Sequence, residues 1–252
     1  MRIECDPGWE TSLRASESLS ILDAVDSTNT WALNNRVPEW AAVLTLNQQS
    51  GRGRWGRQWE SRPHRDLALS LAVPVRNPGD ARGIEQDWIP LVAGACLSEA
   101  LTSQGMCGHG VKWPNDVYVD GRKLAGILTE VDVRGLAIVG VGINVLVLDA
   151  PHKHERAALE EFFSIGYKTL DQFVGAFILK LREAAELPAS GIKTLVSDHL
   201  LTIGRKVSVR EFSGLEWTGS AVGLDDSGSL LVEAEDGRVL PQRASEIQHL
   251  VQ

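Results

Sequence analysis

Between Val111 and Val147 short apolar runs are separated by two tight-turn signals, and that pattern permits few folds. Asp120-Gly121 divides Val117–Val119 from Lys123–Val133, and both turn residues tolerate positive φ, so the pair reads as a hairpin turn. Arg134-Gly135 makes a second turn into Leu136–Val147. Strands joined by such short turns must run back and forth, which predicts an antiparallel meander at the centre of the chain.

Upstream, Asp26, Ser27 and Asn29 precede Trp31, Ala32 and Leu33 as a capped helix start. Val43–Asn47 is a short strand candidate, and the apolar run Leu67–Val75 reads as a buried strand. Ile89, Val92, Cys96 and Ala100 recur at helical spacing within Trp88–Gly105. Downstream, Pro151–Glu161 is a polar loop, and Thr169 with Gln172 forms a capping-box pattern ahead of Phe173, Phe177 and Leu181. The tail changes character: Lys206–Arg210, Trp217–Leu224, Leu230–Ala234 and Arg238–Pro241 are short strands at the spacing of a small β barrel. These shifts place a domain boundary near Asp198–Thr202, dividing 1–198 from 199–252.

At 252 residues the chain can bury a sizeable core. A formal net charge of −8 argues against nucleic acid as the main ligand, because phosphate binding normally leaves a basic surface. Cys5, Cys96 and Cys107 match no zinc or redox spacing, so no disulfide framework is expected and a reducing, cytoplasmic setting fits. No signal-peptide pattern opens the sequence and no apolar run reaches membrane-spanning length. His152-Lys153-His154 lacks a nearby third ligand and reads as a solvated loop.

Three segments carry candidate chemistry. Gly51-Arg52-Gly53-Arg54-Trp55-Gly56-Arg57 combines glycines, which let backbone approach a ligand, with forked permanent cations suited to phosphate and carboxylate. It is neither a Walker loop nor a dinucleotide fingerprint, and alone it is equally a solvated linker or an RNA-binding patch. Lys112-Trp113-Pro114-Asn115-Asp116 leads into Gly121-Arg122-Lys123-Leu124-Ala125-Gly126-Ile127-Leu128, where Lys123 opens a strand just past a tight turn. A lysine so placed can stabilise charge developing on a phosphate or carboxylate. Gly140-Val141-Gly142-Ile143-Asn144 puts two glycines inside a strand, the mark of a bulge or a close ligand approach.

Taken in order, GRGRWGR, KWPND, GRKLAGIL and GVGIN resemble the biotin–protein ligase family nearly letter for letter, from about Asp26 to Asn144 and more weakly to the end. The resemblance implies an α+β fold: a mixed, largely antiparallel β sheet flanked by helices, plus a small C-terminal β barrel. It implies ATP-dependent ligation of biotin, through biotinyl-5′-AMP, to a lysine of a carboxylase's biotin carboxyl-carrier domain, with Mg²⁺. Ser27, Thr28, Asn29 and Gln48 fall at biotin-recognising positions, joined by Arg52, Gly53, Arg54, Lys123 and Gly126. Arg52, Arg54, Trp55, Lys123 and Asn144 fall at ATP-binding positions. Lys123 and Arg54 are the catalytic candidates, and Asp116 either helps hold Mg²⁺ or orients Lys123. Trp55 can close over the anhydride and, with Trp113, is the tryptophan expected nearest the site. A C-terminal arginine of some relatives aligns with Leu250, with Arg243 as a substitute. Only about 26 residues precede Ser27, too few for the winged DNA-binding domain of many relatives, so no DNA partner is expected, and the protein would be a monomer or homodimer. The competing enzyme is a lipoate– or octanoate–protein ligase or transferase of the same fold; the competing non-enzyme is an RNA-binding module using the arginines of residues 52–65.

Overall fold

The computed structural model describes residues 8–77, 79–147, 155–211, 214–243 and 246–249. In chain order it contains α1 (Glu10–Ala15), β1 (Ser18–Leu22), α2 (Thr28–Asn34), β2 (Ala41–Thr45), β3 (Gly51–Arg52), β4 (Gln58–Trp59), β5 (Asp66–Pro74) and α3 (Ile89–Ser103). Then follow β6 (His109–Lys112), β7 (Asp116–Val119), β8 (Arg122–Val131), β9 (Leu136–Asn144), α4 (Tyr167–Ala185) and α5 (Ala189–His199). The tail forms β10 (Lys206–Arg210), β11 (Glu216–Leu224), β12 (Leu230–Ala234), β13 (Val239–Gln242) and β14 (Glu246–His249).

The main sheet has seven strands in the order β1-β2-β5-β9-β8-β7-β6. Only β1 and β2 pair in parallel, and the expected meander is the antiparallel run β6 to β9. Asp120 (φ 48°) and Gly121 (φ 74°) both take the positive φ that the hairpin required.

Side-chain size along the central strands decides which face becomes core. In β5, Leu67, Leu69, Leu71 and Val73 alternate with Ala68, Ser70 and Ala72; in β9, Val139, Val141 and Ile143 alternate with Ile138, Gly140 and Gly142. Successive side chains point to opposite faces. The large residues therefore meet Ile89, Val92, Cys96 and Ala100 of α3 and Phe173 and Phe177 of α4 in the principal core. Each large aliphatic side chain buried there contributes about 1.5–3 kcal/mol. Ile138 apart, the residues of the other face are small and leave room; at one end Ala32 of α2 packs with Val37, Val43, Ala72 and Ile138. The rest of that face is the candidate site.

The tail is a five-stranded antiparallel sheet in the order β13-β12-β11-β10-β14. Its buried residues, among them Val207, Val209, Leu230 and Val232, belong to the same cluster as the main core. Two indoles fasten it: Trp113 Nε1 donates to Gly228 O (3.1 Å) and Trp88 Nε1 to Asp226 O (3.0 Å).

Several local expectations shift. Ser27 caps α2 as read, its Oγ accepting from Thr30 N, and Cys96 is buried in α3. The strand expected at Val43–Asn47 runs Ala41–Thr45. Helix α4 starts at Tyr167 behind Gly166, so Thr169 lies inside the first turn and is not the cap; Tyr167 packs edge-on against Trp9. Cys5, His152-Lys153-His154 and Leu250 lie outside the described residues.

Candidate active site

A cavity of about 530 Å³ opens on the small-residue face. It gathers Ser27, Thr28, Asn29, Gln48, Arg52, Gly53, Arg54, Trp55, Asp116, Lys123 and Gly126; Asn144 is not on its wall.

At one end the polar groups are already ordered. Gln48 Oε1 accepts from Thr28 N (3.0 Å), which leaves the Gln48 amide N–H groups for a ligand. Ser70 Oγ lies 2.7 Å from Thr28 Oγ1 and 2.6 Å from Asn29 Oδ1. Gly140 is glycine because a Cβ there would come 2.4 Å from Asn29 Oδ1.

In the middle, Gly126 and Gly142 are register partners on β8 and β9. A Cβ on Gly142 would lie 2.4 Å from Trp59 Cε2, and one on Gly126 2.9 Å from Trp59 Cζ3. The surface presented at this glycine pair is therefore the Trp59 indole lying on it, not the bare β8 backbone. Its Nε1 is buried without a partner. In the sequence, a tryptophan following Arg57-Gln58 carries no signal until the strands are folded beneath it.

At the other end sit the cations. Positions 123 and 126 on a regular strand would face opposite ways. The β7–β8 register shifts between Val117 and Tyr118, and this irregularity lets the Lys123 stem lie 3.4 Å from the Cβ position of Gly126. Lys123 Nζ is 2.7 Å from Asp116 Oδ1 and 5.5 Å from the Trp59 ring centroid. Arg54 Nη1 donates to Asn115 Oδ1 (3.4 Å), and Asn115 Nδ2 donates to Ile127 O (2.7 Å). Burial lowers the pKa of Arg54 from its usual value, opposed by Asp116. Lys112, also lowered by burial, lies over the Tyr118 ring at 4.8 Å. Ser208, Arg210 and Ile247 of the tail sheet close this end.

The Gly/Arg segment folds as a miniature hairpin, with Arg52 paired to Gln58 and Gly51 to Trp59. Trp55, at φ 58° and 42% exposed, sits at its tip between Arg54 and Arg57 at 5.0 and 5.4 Å. Arg52 points away from the cations, onto Glu130.

Asn144 is tied into the protein on several sides. It is 3% exposed, and its Nδ2 donates to Lys123 O and Ala157 O, both at 2.9 Å. Its Oδ1 accepts from Arg156 Nη2. With both amide hydrogens on carbonyls, it clasps the Lys123 peptide, and its Oδ1 keeps a second lone pair beyond Arg156. Arg156 lies 3.5 Å from Asp66 Oδ1, and burial pushes the Asp66 carboxyl up to about 6. Arg243 contacts Ser227 Oγ (3.4 Å) on the wall of a neighbouring cavity that also reaches Arg54.

Among the described residues no three acidic, histidine or cysteine side chains converge on a metal position. Two carboxylates line the cavity, Asp116 beside Lys123 and Glu216 beside Arg210, and Asp116 is the one that could meet Mg²⁺. One carboxylate suits an ion that arrives with substrate phosphates, not a resident metal cage.

The family profile described as Biotin/lipoate A/B protein ligase family matches residues 21–145, and that of the Biotin protein ligase C terminal domain matches 202–250. A biotin–[acetyl-CoA-carboxylase] ligase of Paracoccus denitrificans is 32% identical, over 88% of this chain and 97% of its own length. A bifunctional ligase/repressor of Escherichia coli is 31% identical, over 91% of this chain and 73% of its own. The structure of biotin protein ligase from Aquifex aeolicus in complex with biotin and ATP superposes with a TM-score of 0.76 at 28% identity, covering 93% of this chain and 100% of that one. Fold, motifs and relatives agree, and the chain belongs to the biotin protein ligase family.

Proposed function

We propose that this protein joins biotin to ATP as biotinyl-5′-AMP and transfers the biotin to a lysine of a carboxylase's biotin carboxyl-carrier domain. The observation that carries the reading is the order of groups along one cavity: hydrogen-bonding side chains at Ser27, Thr28, Asn29 and Gln48, a flat apolar indole at Trp59, then Lys123, Asp116 and Arg54. Biotin presents the matching order, with a neutral ureido ring, an apolar body and a carboxylate.

In the first step a biotin carboxylate oxygen attacks the α-phosphorus of ATP, the bond to the bridging oxygen breaks, and pyrophosphate leaves. Two anions must approach, so fixed cations do most of the work of positioning and charge stabilisation. Lys123 supplies the fixed one, and Arg54 adds a second when the hairpin lies over the cleft. Asp116 holds the Lys123 ammonium in place. In the second step the acceptor amine attacks the anhydride carbonyl, loses a proton and releases AMP, whose charge meets the same cations. Mg²⁺ would accompany the ATP phosphates and neutralise part of their charge, with Asp116 as its protein contact. Trp55, exposed at the hairpin tip, is the residue to shield the anhydride from water. Residues 1–198 supply this chemistry, and 199–252 close the triphosphate end through β10 and β14. A cytoplasmic monomer or homodimer completes the reading.

Acid-dependent pyrophosphate release tests it. Biotin with ATP and Mg²⁺ is expected to release pyrophosphate and, with a carrier domain added, to label one lysine. Release driven by lipoate or octanoate but not by biotin would replace biotin with those acids.

A further inference from the structure

Strand β8 carries Lys123 near one end and Glu130 near the other. Gly126, Leu128 and Glu130 lie two residues apart and share the cleft face. Glu130 Oε2 accepts from Asn29 Nδ2 (2.9 Å), and both its oxygens accept from Arg52 Nη2 (3.0 and 2.9 Å). The same Arg52 nitrogen donates to Thr30 Oγ1 (3.0 Å). Arg52 begins the hairpin that carries Arg54 and Trp55 at its tip and ends in Trp59. That hairpin's own ladder spans only two residue pairs, too little for independent stability.

We propose that Glu130 is a positioning residue that latches this hairpin over the cleft through Arg52. Asn29 links the latch to the ring-recognising end: its Nδ2 reaches Glu130 while its Oδ1 meets Ser70, which meets Thr28. Ordering of those groups by a bound ring therefore steadies Glu130, and a steady Glu130 holds the hairpin down. This role rests on the biotin reading above. It gives Arg52 a task distinct from charge stabilisation and makes Glu130 a determinant of how long the adenylate stays enclosed.

The test is a double-mutant cycle of Glu130→Gln, Arg52→Met and the pair together, with two readouts. The first, needing no ligand, is chymotryptic cleavage after Trp55 in the folded full-length protein. The second is the release rate of preformed biotinyl-adenylate, compared with its single-turnover formation rate. Each single variant should raise cleavage and release by about 3- to 10-fold, the range for loss of a partly exposed charged pair with added hydrogen bonds. Formation at saturating substrates should change less than release. The double variant should be no worse than either single variant, since both remove one latch. Parental cleavage and release in a folded Glu130→Gln protein, or effects that multiply in the double variant, would overturn the proposal. A parent that forms no biotinyl-adenylate would instead overturn the biotin reading, and the cleavage cycle would still decide the latch.

Discussion

The two sides of the cleft are built differently. Lys123 is held from all directions: its carbonyl accepts from both Asn144 Nδ2 and Ala157 N, its strand is paired on both edges, and its ammonium meets Asp116. The Gly51–Trp59 hairpin has a two-pair ladder extended by Gly53 N to Arg57 O, and it meets the sheet through side chains: Arg52 on Glu130 and Thr30, Arg54 on Asn115, and the Trp59 indole on two glycines and under Lys123. The contrast suits the two tasks. Charge stabilisation needs donors that do not reorganise during the reaction. Enclosing a reactive anhydride needs a cover that opens to admit substrates.

The largest effect should come from the rigid side. Lys123→Ala should slow single-turnover adenylate formation by about 10²–10³-fold, or roughly 3–4 kcal/mol. Lys123→Arg should not fully rescue it, because the planar guanidinium is longer and differently hydrated. Circular dichroism should show an unchanged fold. A near-parental rate would move the electrostatic role to Arg54 and Lys112.

On the movable side, Arg54→Ala should act mainly on retention. Losing a charge-assisted contact of about 1.5–3 kcal/mol corresponds to about 10- to 100-fold faster escape of the adenylate. Unselective labelling of bystander lysines would report it, and retention equal to the parent's would show that Arg54 anchors nothing.

Asn144→Ala probes how the rigid side is kept rigid. It strips a donor from two carbonyls and an acceptor from Arg156, so stability should fall by about 1–3 kcal/mol in denaturant unfolding. Adenylate formation should slow without faster release, whereas a residue acting on adenine should instead raise the KM for ATP at unchanged stability.

The smallest effect is a drift with pH. Burial raises the Asp66 carboxyl from 3.8 to about 6, so the folded protein binds more protons than the unfolded chain between those values. Asp66 therefore favours folding most at low pH, and that contribution is lost as pH rises through about 6. The melting temperature of Asp66→Asn minus that of the parent should rise from pH 4 to pH 7; a flat difference would place the Asp66 carboxyl at its ordinary value and a falling one below it.

Much of this contrast was legible before folding, and the reasons differ by residue. Asp120-Gly121 encodes its own backbone, so the turn that sets Lys123 was readable locally. Ser27 declares itself as a helix cap by type and place. Lys123 and Gly126 were recognised as site residues, but the register irregularity that brings them together depends on pairing with β7 and leaves no local mark. Asn144 gives no local sign that its amide joins two carbonyls; that contact forms with the segment around Ala157, which returns from further along the chain. Trp59 and Glu130 gain meaning only when β3–β4 fold over β8 and β9.

Amide hydrogen exchange resolved by residue tests the contrast most directly. In the free protein the amides of Gly53–Gln58 should exchange at least about 100-fold faster than those of Ala125–Leu128, as expected for a locally opening element beside a core strand. Adding biotin and ATP should slow exchange in the hairpin strongly and leave the strand almost unchanged. Equal protection of the two segments in the free protein, or a hairpin indifferent to the ligands, would contradict the account.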